Sequence, residues 1–204
     1  SSIGLADING DDLPDLIEVN YLNDPLIFQR KCEGKRLDCT PQRFRAASDQ
    51  IFESLGDGRF AVATAGSGRM DASPNYGFGL VVTTFGRSGR NEIFVSNDGD
   101  LNHFWKSVPV ESGGETSWKL LESAGVSGCS IGVSGISQAC MGIAASDFDR
   151  NGFIDLGISN FHNEPMNLFL QNEAGFFTDE VMRFGLVENS KDMLGFGTQA
   201  ADFD

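Results

Sequence analysis

The amino-acid sequence predicts an all-β chain of propeller blades, each of four antiparallel strands: about three blades and the stub of another. Three observations predict it. An acidic loop recurs in one frame. Short apolar runs of strand-like composition flank each copy of the loop. No segment carries a long amphipathic helical period.

The loop sets the frame. "DINGDDLPD" occupies residues 7–15 and "DFDRNGFID" residues 147–155. Both have an acid at positions 1 and 9 and Asp or Asn at positions 3 and 5. Asn20 and Asn160 each follow thirteen residues after position 1, and Asn97 stands thirteen after Thr84. Gly79 and Gly142 precede Thr84 and Asp147 by five residues, as Gly197 precedes Asp202. Four units therefore share one register, with spacings of 77, 63 and 55 residues.

Strand composition follows the same frame. "GLVVT", "GIAAS" and "GTQAA" lead into the loops, and "EIFVS" and "DLGIS" lead out, rich in Ile, Val and Phe. "HFWKS" and "LFLQN" read as third strands. Gly-containing turns then open the last strands, "GRFAVAT" and "GFFTDEV". The blades predicted are 1–75, 76–137 and 138–193, with 194–204 opening a further one. The first carries an insertion at 26–48 that reads as a surface loop. The second ends in a Gly/Ser-rich linker near 108–137.

Composition excludes several classes. A formal net charge of −14 repels nucleic-acid phosphates and suits cation binding. No apolar run reaches the length of a membrane span. The four cysteines fall into two close pairs, Cys32 with Cys39 and Cys129 with Cys140, without zinc-ligand spacing. Such pairs suggest disulfides and an oxidising compartment, the alternative being four reduced, buried thiols. Closing a loop of about eight residues stabilises by roughly 2–3 kcal/mol in the chain-entropy account.

The loops carry metal-ligand chemistry. Calcium takes six to eight oxygen ligands, and alternating Asp/Asn at positions 1, 3 and 5 of a tight loop aims three side-chain oxygens inward. A backbone carbonyl at position 7 and a carboxylate at position 9 extend the shell. The predicted ligands are Asp7, Asn9, Asp11, the Leu13 carbonyl and Asp15 in the first loop. In the third they are Asp147, Asp149, Asn151, the Phe153 carbonyl and Asp155. Gly10 and Gly152 allow the sharp turn. An EF-hand needs Glu at position 12 between helices; position 12 is Ile158 in the third loop, and the flanks are strand-like. Turns of Asp, Asn and Gly without an ion are the plain alternative. The second loop has Thr84, Gly86, Ser88 and Glu92 at the ligand positions, so no ion is predicted there. Arg87 or Arg90 is expected to balance Glu92, unless the loop simply faces solvent.

"ADINGDDLPDLIEVN", "SDFDRNGFIDLGISN" and the "GFG" lead-ins at 77–79 and 195–197 resemble the FG-GAP or VCBS repeat of β-propellers, which integrin α-subunit heads also contain. The stretch "FHNEPMNLFLQNEAGFFTDEV" is most similar to the repeats found with ASPIC/UnbV domains and in cartilage acidic protein. The resemblance implies a ring of about seven blades with calcium loops between first and second strands. It implies a secreted, cell-surface or periplasmic location and a structural or adhesive role toward a protein or glycan ligand. It extends the ligand role to Asp202 and Asp204 of the incomplete fourth loop. Further blades of the same polypeptide, or a partner chain, are expected to complete the ring.

Catalytic signatures are missing. His103 and His162, the two histidines, lack a partnered nucleophile, and no GxSxG motif occurs. The acids of "NDGD" at 97–100 read as a turn rather than a glycosidase pair. "NDGDLN" and "FHNEPMN" share a place in the frame that would line one face of the propeller; loop packing is the plainer reading, and a glycan or peptide site the alternative. The expected function is an extracytoplasmic calcium-binding scaffold. The alternative is part of a polysaccharide-acting enzyme, or a lectin, whose site is completed elsewhere.

Overall fold

The structure, a computed structural model, describes residues 2–31, 39–63, 70, 74–112 and 115–202. Each of the first three repeat units folds as one four-stranded antiparallel meander. The first sheet contains β1 (Ser2–Ala6), β2 (Asp15–Val19), β3 (Gln50–Ser54) and β4 (Phe60–Val62). The second contains β5 (Gly77–Thr83), β6 (Glu92–Asn97), β7 (His103–Ser112) and β8 (Glu115–Glu122). The third contains β9 (Cys140–Ser146), β10 (Asp155–Asn160), β11 (Asn167–Gln171) and β12 (Phe177–Asp179). Strands pair in chain order within every sheet. The all-β class is as the sequence predicts.

Sequence explains the layering. β2 alternates, with Asp15, Ile17 and Val19 turned inward. β6 and β11 are buried along their whole length, and their apolar runs are continuous because both faces are covered. The sheets stack face to face, giving each a leading face toward the preceding sheet and a trailing face toward the following one. Ile17, Val19 and Ile51 of the first sheet meet Ile93, Trp105 and Leu120 of the second in one core. Phe94 and Phe104 of the second meet Leu156, Ile158 and Phe169 of the third in another. Burying each such side chain contributes about 1.5–3 kcal/mol. A smaller cluster of Leu168, Leu170 and Val181, with Leu186 and Val187, covers the trailing face of the third sheet.

One close passage repeats along the stack and explains Gly79 and Gly142. β1 lies against β5, and β5 against β9. Five residues before each of the three loops, the chain passes close to a carbonyl of the next unit. Ser2 Oγ donates to Phe78 O at 2.7 Å. A Cβ on Gly79 would stand 2.7 Å from Met141 O, and one on Gly142 2.4 Å from Phe196 O. Phe78, Met141 and Phe196 occupy the same place in the register, so residues 196–198 run beside β9 as β9 runs beside β5.

Two expectations are corrected. The linker near 108–137 contains the end of β7, the whole of β8 and a short helix, α1 (Ala124–Ser127). The long β7–β8 hairpin forms because Trp118 and Leu120 alternate inward onto the first core. The predicted Cys129–Cys140 bridge is also absent: both cysteines are free and buried. Cys129 Sγ donates to Ala124 O at 3.8 Å, and both thiols sit among Phe94, Phe104 and Phe169 as small apolar groups. Burial pushes the Cys140 thiol up to about 12 and raises Cys129 as well. In the insertion, Cys39 is disulfide-bonded; its predicted partner Cys32 lies outside the described residues.

Candidate metal centre

The first and third loops join the first two strands of their sheets and fold alike. In the third, Asp147 at position 1 accepts the amides of Asn151 and Gly152, both at 2.9 Å. Asp149 Oδ1 accepts the Asn151 amide at 3.1 Å, and Asn151 Oδ1 accepts that of Phe153 at 2.8 Å. In the first, Asp7 accepts the amides of Gly10 at 2.6 Å and Asp12 at 2.9 Å. Asn9 Oδ1 accepts from Asp11, and Asp11 Oδ1 from Leu13, each at 2.9 Å.

Two residues of each loop adopt positive φ, at positions 4 and 6. They are Gly10 at 88° with Asp12 at 66°, and Arg150 at 61° with Gly152 at 89°. Glycine thus takes only one of the two left-handed places in each loop. Asp12 and Arg150 hold the other against the usual preference.

Position 9 is a buried anchor. Asp15 and Asp155 are both 0 % exposed. Asp155 Oδ2 accepts the Phe148 amide at 2.8 Å and Oδ1 the Gln171 amide at 2.7 Å. Asp15 repeats this with Ile8 and Ser54, both at 3.0 Å. Each carboxylate therefore ties position 2 of its loop to the third strand of its sheet. Burial raises both carboxyls above the ordinary aspartate range, against the lowering effect of these amide bonds.

The third loop gathers its acids most closely. One carboxylate oxygen from each of Asp147, Asp149 and Asp155 lies within 4.8 Å of the others, the one such group among the described residues. The donor set is all oxygen, as a hard cation requires. Asn151 Nδ2 donates to Asp149 Oδ2 at 3.2 Å and to Gln171 O at 2.7 Å, tying the loop to β11. Leu13 and Phe153, at position 7, each donate their amide to the side chain at position 5. Asp202 is exposed and borders a cleft with Ser146, Asp147, Phe148 and Arg150. Asp204 lies outside the described residues.

The second loop keeps the position-9 anchor without the acids. Glu92 is buried and accepts the Gly86 amide at 3.2 Å. Burial raises its carboxyl, and the opposing charge comes from Lys106, directly across the strand pair. The arginines predicted to balance Glu92 turn elsewhere. Arg87 reaches Glu173 at 3.7 Å and lies over the Phe153 ring of the third loop. Arg90 stands beside Gly10 of the first loop, in a cleft with Asn9, Asp11, Glu53 and Trp118.

Sequence reasoning missed the clamps on the first loop. Asn91 Nδ2 donates to Asp7 O at 2.9 Å, and Ser107 Oγ to Ile8 O at 2.7 Å. Ile154 and Gln171 stand at the equivalent places in the third unit, so the repeat gave no signal for them.

His103 is buried beside Trp105, its Nε2 3.2 Å from Asn75 Nδ2, and burial lowers its basicity. His162 is exposed, with Nδ1 3.3 Å from Asp192 O. Asp98 accepts the Tyr21 hydroxyl at 2.5 Å, joining the first unit to the turn of the second. Among the described residues no helix is long and apolar enough to cross a membrane. Neither a protein-family model nor a curated protein matches the chain.

Proposed function

We propose that this chain is a calcium-binding segment of a β-propeller of the FG-GAP or VCBS type, working outside the cytoplasm as a structural or adhesive scaffold for a protein or carbohydrate. The observation that carries the reading is the convergence of Asp147, Asp149 and Asp155 in an all-oxygen loop. The matching turn geometry of the first loop supports a second ion there. Calcium would neutralise the clustered carboxylates and tie each loop to its sheet. The stacking of three meander sheets through their first strands supports blades rather than a flat sandwich.

Calcium binding only the folded state stabilises it by about 2.7 kcal/mol at a hundredfold excess over Kd. The melting temperature in millimolar calcium should therefore fall clearly on adding EGTA. Asp147→Asn together with Asp7→Asn should remove most of that difference. A melting temperature identical in calcium and EGTA would overturn the proposal.

A further inference from the structure

The loop cations are distributed by junction rather than by loop. The stretches 7–15, 84–92 and 147–155 contain three cations, Arg87, Arg90 and Arg150, and the first stretch, with four aspartates, contains none. Each arginine faces a neighbouring loop. Arg87, at position 4 of the second loop, lies over the Phe153 ring of the third at 5.3 Å. Arg150, at position 4 of the third, borders the cleft that contains Asp202, position 1 of the fourth. Position 4 of the first loop is Gly10, and its place is filled from across the junction: a Cβ there would stand 3.5 Å from Arg90 Nη1. Arg90 shares its cleft with Asp11 of the first loop and Glu53 of β3. The next residue, Asn91, fixes the two loops together by donating to Asp7 O at 2.9 Å. Among the described residues, a guanidinium thus stands at every junction between successive loops.

We propose, resting on the calcium reading above, that the second loop regulates its two neighbours: Arg90 and Arg87 are fixed counter-cations that lower the calcium affinity of the first and third loops. The second loop is free for this role because Thr84, Gly86 and Ser88 replace the acids at its own positions 1, 3 and 5. A guanidinium stays charged throughout the ordinary pH range. It attracts a carboxylate and repels a divalent ion, so beside an acidic loop it has two opposite effects. It steadies the loop without an ion, and it weakens the uptake of one. Length lets each arginine reach past its own loop, and the Phe153 ring and Glu173, 3.7 Å from Arg87, hold that side chain toward the third sheet.

Calorimetric calcium titrations of the full chain isolate one loop at a time. Asp147→Asn leaves the first loop to bind, and Asp7→Asn leaves the third. Arg90→Gln in the first background and Arg87→Gln in the second should each tighten calcium binding by about three- to tenfold at low salt. The gain should shrink in about 1 M NaCl, where charges are screened over a few ångströms. In EGTA each Gln variant should melt below its parent. Arg90→Lys keeps the charge and loses the guanidinium plane, so it should restore the parent affinity. An arginine that only props up its neighbour would give the opposite sign, because the loop would lose its shape and bind calcium more weakly. Weaker or unchanged binding in either Gln variant would therefore overturn the proposal. So would Arg90→Lys tightening binding as much as Arg90→Gln, since charge would not be the cause. Parents that take up no calcium would remove the calcium reading and this proposal together, whereas parents that bind calcium with an affinity indifferent to the arginines would remove this proposal alone.

Discussion

At the scale of single residues, the loop acids divide by burial. Asp155 is fully buried and satisfies two backbone amides, so Asp155→Ala leaves both donors unpaired. At about 1–3 kcal/mol for each unsatisfied group, the variant should lose several kcal/mol in urea melts whether or not calcium is present. Asp149 is exposed, and Asp149→Asn should weaken calcium binding while leaving stability in EGTA nearly unchanged. Asp49 gives a separate signature. It accepts the Asn20 amide at 2.9 Å, and burial, reinforced by Glu18, raises its carboxyl to about 6. A carboxyl raised on folding contributes stability below its ordinary value and loses it as pH rises through the folded one. Asp49→Asn should thus stabilise the protein by about 1–2 kcal/mol near pH 7.5 and change little near pH 4, as melts across that range would record. The shared frame of the two acidic loops was legible in the sequence because Asp and Asn recur at the same odd places in both. The left-handed Arg150 was not, since only the surrounding loop forces a long side chain into that conformation.

At the scale of elements, the frame glycines acquire a physical role. A Cβ on Gly79 would lie 2.5 Å from Ser96 Oγ and 2.7 Å from Met141 O, between β6 and β9. Gly79→Ala should destabilise by about 2–3 kcal/mol through overpacking, measurable in denaturant. Gly125→Ala in α1 meets open space and should be neutral or slightly stabilising, by up to about 1 kcal/mol. The sequence made these glycines visible by their spacing; why Gly79 and Gly142 lack a side chain emerges from the close passage of the following unit. β8 was hidden for the opposite reason. Its inward residues Trp118 and Leu120 alternate, but Gly and Ser crowd the segment that follows, and local composition outweighed a short period-2 signal. The arginines of the second loop show a further limit. Pairing within one loop was the economical reading, yet their reach carries them to neighbours set by the stacking.

Across the whole molecule, the two large cores are of different kinds. The first is mainly aliphatic with two tryptophans, and the second is aromatic with two thiols. Those thiols make the cysteine assignment testable. Under non-reducing conditions an alkylating reagent should modify Cys129 and Cys140 only after denaturation, because both are buried and held in the protonated form. Proximity in sequence suggested a bridge between them, but it carries no information on whether two side chains face each other. The same limit separates what was readable at this scale from what was not. Repetition announced the number and order of the sheets, while the unrepeated contacts that lock one sheet to the next, such as Ser107 on Ile8, left no periodic trace.

Among the described residues, the middle sheet packs on a neighbour on each side, and each outer sheet shares one of the two large cores. Damage to the centre therefore severs the chain's cohesion twice over, and damage at either margin only once.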